Sequence, residues 1–283
     1  MEKGRKHHYI PVFYLTQWCG PDGRLCEYSR PRNKTIAQPK YPKETGFERG
    51  LYTLKAHTSA VAEIVEDKLM GRTDNDAARA HQLLLDNNID GLDEVTRSAW
   101  ARFLISLLRR TPESLRGLGQ RLTATIIEQY PELGIVGDPE KDERAMACLG
   151  VFERQLAMLL QALLNSDLIG NHLINMRWNV VSFNSGEGPL LTSDRPFVVS
   201  NGMVGPNGHW VVPISPSQCF VATNSDDVLR ELQALAAEEF IFRMNHKMGC
   251  QAQRFVYGLD DSHLYFVSER LGRKESAAPG DAA

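Results

Sequence analysis

The chain has 283 residues, a formal net charge of -3 and a 42% hydrophobic, 24% charged composition. That is ordinary for a globular chain long enough to bury a sizeable core, and it is far from the basic balance of a duplex-binding protein. No apolar run approaches the roughly 18 residues that a membrane span needs. The polar, basic start is followed by no hydrophobic region or small-residue cleavage site. With no secretion signal, the five scattered cysteines (Cys19, Cys26, Cys148, Cys219, Cys250) read as reduced thiols, and the expected location is the cytoplasm.

In chain order, Lys6 to Leu15 with Trp18 makes an aromatic, imidazole-rich opening, expected to dock into the fold. The turn Gly20 to Gly23 precedes a strand over Arg24–Tyr28, whereas residues 30–57 lack periodicity and read as a long loop, with one short extended piece at Gly50–Leu54. From Thr58 the register becomes helical. Thr58-Ser59 caps one helix through Met70, and Thr73-Asp74 caps a second to about Asp86. Trp100, Phe103, Leu104, Leu107 and Leu108 follow amphipathic helical spacing. That helix ends at Arg109-Arg110-Thr111, and Pro112 opens the next, which runs to about Tyr130. A long helix over about 141–165 follows.

Strand alternation begins at Arg177–Phe183. Further strands are expected at Phe197–Val199, His209–Pro213, Gln218–Ala222, Gln253–Tyr257 and His263–Val267. One helix started by Asp226-Asp227 carries Leu229, Leu232, Ala236, Phe240 and Met244 on a single stripe. The fold class is therefore α+β: a central helical layer packed on a mostly antiparallel C-terminal sheet, with the N-terminal segment docked onto it. One integrated domain is expected over 1–270, and a disordered tail over 271–283.

Candidate chemistry rests on short polar motifs. His7 and His8 are adjacent, so they point apart on either a strand or a helix and do not readily ligate one metal. One of them suits acid–base work near neutral pH. Asp194, in Thr192-Ser193-Asp194-Arg195-Pro196, either faces a pocket or caps its own backbone in an Asx-type turn. Glu63 and Glu66 share a helix face. Arg109 and Arg110 suit a helix C-terminus electrostatically, and an arginine there can also clamp an anion. Asn245 and Arg254 are further polar candidates. None of the eight histidines has a glutamate three residues before it, which removes the dinuclear-iron bundle signature. His-Glu-x-x-His, zinc-ligand spacing, a Walker loop, a Gly-x-Ser-x-Gly elbow and a Gly-x-Gly-x-x-Gly turn are also missing from the sequence.

Five segments taken together resemble the DUF4238 family: His7–Leu15, Arg110-Thr111-Pro112, Thr192–Pro196, Pro213-Ile214-Ser215-Pro216 and Arg254-Phe255-Val256-Tyr257. They occur in family order over about residues 6–258. Arg195 departs from the pattern, which often has Asn there. The resemblance implies no reaction. It does imply a shortlist of polar motif residues: His7, His8, Glu66, Arg110, Asp194, Asn245 and Arg254.

The leading expectation is a hydrolase, metal-assisted, acting on a phosphodiester or other phosphorylated substrate. In it His8 or His7 is base or ligand, Asp194 and Glu66 hold the metal or orient, and Arg110 holds the anionic substrate, with Asn245, Arg254 and Tyr9 lining the substrate site. The cofactor is left open, a divalent metal being the class this reading admits. The partner is open too, between an anionic small molecule and a nucleic acid, with no membrane. A second expectation is a binding module without chemistry, in which Tyr9, Phe13, Tyr14 and Trp18 form a recognition face and Arg110 and Arg254 capture an anion. A third makes His7, His8 and Asp194 a buried hydrogen-bond network that staples the N-terminus to the C-terminal sheet.

Overall fold

The computed structural model of the chain describes residues 6–49, 51, 70–129, 158, 161–162, 167–200 and 202–272. The opening segment forms a short strand, β1 (Lys6–His8), and one helical turn, α1 (Val12–Leu15), continued by a 3-10 turn over Thr16–Trp18. Next come β2 (Leu25–Ser29), β3 (Ile36–Lys40) and β4 (Phe47–Arg49). Over residues 30–49 the chain is thus not the loop expected. β3 pairs along its whole length with β2, from Leu25↔Lys40 to Ser29↔Ile36. Pro39 concealed it, yet β3 lies at the edge of its sheet, where a residue without an N–H is tolerated. The extended piece expected at Gly50–Leu54 lies, apart from Leu51, outside the described residues.

The helical layer contains α2 (Gly71–Leu85), α3 (Glu94–Arg109), α4 (Pro112–Gln129) and α5 (Asp167–Asn175). Asp93 caps α3, its carboxylate accepting from Thr96 N at 2.8 Å. Thr73-Asp74 does not cap α2, because Met70 is already helical (φ -75°, ψ -44°), so Asp74 stands inside the helix with its side chain free for a distant partner. The helix expected at Thr58–Met70, apart from Met70 itself, and the one at 141–165, apart from residues 158, 161 and 162, lie outside the described residues.

The remaining elements are β5 (Arg177–Ser182), β6 (Thr192–Ser193), β7 (Val198–Ser200), β8 (His209–Ser215), β9 (Gln218–Thr223), α6 (Asp226–Ala234), α7 (Ala237–Gln251), β10 (Phe255–Gly258) and α8 (Leu264–Ser268). The single helix expected after Asp226 is two. Leu235 and Ala236 are extended (ψ 140° and 143°), and Phe240, Ile241, Met244 and Met248 of α7 enter the core on which Leu229 and Leu232 of α6 also pack. The strand expected at His263–Val267 is the helix α8. Val267 and Leu271, one helical turn apart, are buried, while Tyr265 is exposed. Leu271 lies one residue beyond the expected end of the packed chain, and residues 273–283 lie outside the described residues.

The fold is α+β, and the described strands pair antiparallel in a ribbon β1-β4 and two sheets of order β3-β2-β10-β6 and β5-β9-β8-β7. Alternation along β8 and β9 feeds two cores. Trp210, Val212, Ile214, Phe220 and Ala222 join the helices and the N-terminal segment. Val211, Cys219 and Val221 face the α7 side. No helix among the described residues is long and apolar enough to cross a membrane.

The opening segment is locked at both ends. Tyr9 N and Ile10 N both donate to Gly46 O, at 2.9 and 3.1 Å. Gly46 has φ +62°, and a Cβ on it would lie 3.1 Å from that of Ile10, so only glycine fits this close approach. Further along, the buried Tyr14 hydroxyl donates to Pro213 O (2.6 Å) and meets Thr192 Oγ1 (2.7 Å), while Trp18 Nε1 donates to Leu190 O (2.8 Å).

His81 on α2 stacks on Trp100 (centroids 5.5 Å apart, planes at 11°) and its Nε2 lies 2.9 Å from Ile214 O. Burial pushes its imidazole down to about 4. The folded state therefore resists a proton that the unfolded chain accepts from its ordinary value of about 6.5. Stability should fall as pH drops through that interval, by about 3 kcal/mol from this residue. In H81Q, which keeps an N–H donor, urea unfolding between those two pH values should lose about that much less than in the wild type. Equal losses in both proteins would mean that the imidazole does not resist protonation in the folded state.

Candidate functional site

β1 alternates about its axis, so His7 is buried and His8 half-buried, with buried Tyr9 following. The His8 ring packs edge-on against Phe47 (5.6 Å) and hydrogen-bonds the backbone of Lys43. Its Nε2 is buried without a hydrogen-bond partner, and the contact with the Lys43 backbone favours the charged ring. Burial, then the charges of Lys6 and Arg110, outweigh it and lower the imidazole below its ordinary value. His8 therefore favours the neutral form more than a free imidazole does.

Arg110 occupies the C-cap of α3, its N–H donating to Ser106 O at 2.9 Å. The helix end favours a cation there. The side chain, however, is 0% exposed, which the helix dipole does not explain. Nη1 donates to Asp74 Oδ1 at 2.8 Å, and the guanidinium lies 5.5 Å from the Phe103 ring. Nε and Nη2 have no partner. These two nitrogens form one side of the planar fork, the side that grips a carboxylate or phosphate with two parallel bonds. Asp74 keeps 22% of its side chain exposed, yet burial still pushes its carboxyl up, offset by Arg110. Nothing in the sequence singled out Asp74 as a partner for Arg110, 36 positions away.

Asp194 faces elsewhere. Its Oδ1 accepts from Gln253 N (2.9 Å) and its Oδ2 from Arg254 N (2.6 Å) and Phe255 N (3.1 Å). It therefore clamps the entry to β10, 59 to 61 residues away, rather than capping its own turn as the Asx reading expected. Burial pushes its carboxyl up to about 6, against the pull of those three donors. Asn245 performs a similar task on the chain entering β6: Oδ1 accepts from Leu191 N (2.7 Å) and Nδ2 donates to Pro189 O (3.0 Å). Arg254 pairs with Glu48 (3.2 Å), which also pairs with Arg116 (2.6 Å). The Tyr9 hydroxyl is buried without a partner, within the fields of Asp194, Arg254, Glu113 and Glu48. Close by, Thr45 donates to the buried Glu27 and lies 3.0 Å from the Tyr257 hydroxyl.

His8 thus feels the charge of Arg110, and Tyr9 the charges of Asp194 and Arg254, while Asn245 serves the loop before β6. Glu66 lies outside the described residues. Tyr9, Tyr14 and Trp18 are no recognition face: all three are buried, and Phe13 is partly so, packed on His81 and Phe103. Tyr14 and Trp18 tie the N-terminal segment to Thr192, Pro213 and Leu190. Among the described residues no three or more His, Cys, Asp or Glu side chains are grouped to hold a metal ion.

Two antiparallel sheets pack with a helical layer, and Arg110 is buried with two of its guanidinium nitrogens unpaired. This defines an α+β protein. The model of a family described as "Protein of unknown function (DUF4238)" matches residues 6–262, and the chain belongs to that family. No curated protein and no solved structure matches the chain.

Asp194→Asn tests the clamp. An amide offers one oxygen to three donors and turns an NH2 toward backbone N–H groups. The variant should lose about 2 kcal/mol of unfolding free energy. Unchanged stability would remove Asp194 from the architecture and return it to the pool of candidate reactive groups.

Proposed function

We propose that the protein recognises the anionic group of a small molecule through Arg110. One observation carries this reading: a wholly buried guanidinium, tied to Asp74 by a single nitrogen, keeps its Nε–Nη2 edge without partners. Leaving buried donors unsatisfied costs about 1–3 kcal/mol, and more for charged groups. An anion on that edge would recover the cost and bring its negative charge beside a cation in a poorly screened interior.

A hydrolytic reading of the same site is favoured by His8. Its unpaired Nε2 belongs to a ring in the field of Arg110, and a neutral imidazole can take a proton from water or from a substrate hydroxyl. In this reading Arg110 holds the anion and His8 is the general base. Asp194 orients the backbone of β10 rather than the imidazole.

The test is a set of thermal unfolding titrations of wild type and Arg110→Lys with small anions, acetate and inorganic phosphate included. At about 100 times its Kd, an anion adds about 2.7 kcal/mol to stability. At least one anion should raise the wild-type midpoint. Lysine lacks the planar fork, so R110K should bind that anion at least about tenfold more weakly. An R110K protein that binds as well as wild type, or a wild type indifferent to every anion, contradicts the proposal.

A further inference from the structure

His246 and Cys250 lie one helical turn apart on α7 and so share a face of that helix. The Cys250 sulfur is 3.5 Å from Nε2 of His246. On the other side of the ring Arg270, in the turn that follows α8, donates Nε–H to Nδ1 at 3.0 Å. A guanidinium nitrogen has only hydrogens to offer, so Nδ1 is the acceptor and the single proton of the neutral imidazole sits on Nε2. The short contact to sulfur is therefore Nε2–H donating to Sγ. Such a bond strengthens when the thiol becomes a thiolate, and the Arg270 cation one ring away favours the same form. The cluster is held from several directions. Phe242 lies near-parallel to the His246 ring (centroids 6.2 Å apart, planes at 26°). The Arg270 guanidinium lies 3.6 Å over the Phe266 ring, and its Nη1 donates to Phe266 O at 2.7 Å. Gly249 makes room for this approach: a Cβ there would lie 3.0 Å from Arg270 Cβ and 3.2 Å from its Cδ. A residue that weakens a helix by about 1 kcal/mol thus stands where the arginine passes. Cys250 is partly exposed. Cys19 is partly exposed too, but burial and then the charge of Asp22 push its thiol up.

We propose that Cys250 is a modification site for hydroperoxides, a nucleophilic thiol activated by His246 and Arg270 and oxidised to a sulfenic acid. The thiol gives its proton to solvent, because Nε2 of His246 already carries one. The thiolate then attacks one peroxide oxygen. An S–O bond forms as the O–O bond breaks, so sulfur loses two electrons and the peroxide is reduced to an alcohol or to water. The departing oxygen takes its proton from water. That oxygen leaves as a strong base, and the positive charge of Arg270 favours its departure as it favours the thiolate. Hydroperoxides are the soft electrophiles that gain most from such a cation.

Competitive labelling of the full-length protein provides the test. The reduced wild type is treated near neutral pH with substoichiometric iodoacetamide, and each cysteine peptide is quantified by mass spectrometry. Cys250 should react at least about fivefold faster than Cys19. His246→Phe keeps a ring beside Phe242 but loses the donor, and should slow Cys250 by about threefold or more while Cys19 keeps its rate. His246→Gln, which restores an N–H, should recover most of the lost rate. In a second experiment hydrogen peroxide is added together with dimedone, a trap for sulfenic acids, and the adduct should form on Cys250 ahead of Cys19. The wild-type measurements need no variant, so they decide the matter even if H246F folds poorly. A Cys250 that reacts no faster than Cys19 overturns the activated thiol. Fast alkylation without a dimedone adduct on Cys250 overturns the assignment to hydroperoxides. Equal rates in wild type and a folded H246F overturn the activation by His246.

Discussion

The Tyr14 hydroxyl is the junction on which the arrangement depends. It sits on a one-turn helix near the N-terminus, donates to Pro213 O in β8 and meets Thr192 Oγ1 in β6. One phenol therefore joins the opening segment to both four-stranded sheets. It is fully buried, and losing either contact would leave a polar group stranded in a dry interior. With Trp18 Nε1 on Leu190 O beyond it and the Gly46 carbonyl behind it, the segment has little freedom to shift. His8 inherits its position from this lock, since it lies between the β1–β4 pairing and the anchored Tyr9–Ile10 backbone.

The second constraint is a charge that cannot be discharged. Arginine stays protonated at any working pH, so burying Arg110 commits the fold to accommodating a cation. The protein supplies one carboxylate, Asp74, and an aromatic face, Phe103, and leaves one edge open. A buried ion with incomplete pairing is poor evidence of stabilisation. Asp194 is the contrast. It too is a buried ionisable group, but three backbone donors satisfy it, and its effect is architectural. Comparable burial thus serves opposite ends: Asp194 spends its capacity on the fold, and Arg110 retains part of its capacity.

The sequence was most legible where periodicity was strong. The Trp100–Leu108 stripe predicts α3, and alternation predicts β5, β8 and β9. It was least legible where pairing is long-range. β3 carries a proline and little alternation, and becomes a strand only because β2 offers it an edge. The break at Leu235–Ala236 has no glycine or proline to announce it, and it lets both α6 and α7 pack on one core. The site divides in the same way. Arg110, His8 and Asp194 were visible as polar residues in ordered motifs. Their roles were not, because role depends on which atoms remain unpaired once the chain is folded. Asp74 illustrates this. Read as a helix cap, it is a carboxylate inside the first turn of α2 whose partner sits at the far end of α3.

The central claim is that the Nε–Nη2 edge of Arg110 is an anion seat. The most direct measurement is the 15N–1H spectrum of arginine Nε–H groups, with the Arg110 signal assigned by its loss in R110K, recorded while inorganic phosphate is added. The account predicts that this one Nε–H resonance shifts and saturates with the same affinity as in the thermal unfolding titrations, while the other arginine signals stay in place. An Arg110 resonance that stays fixed while phosphate binds elsewhere would show that the edge is not the seat, and the buried guanidinium would then need a different explanation.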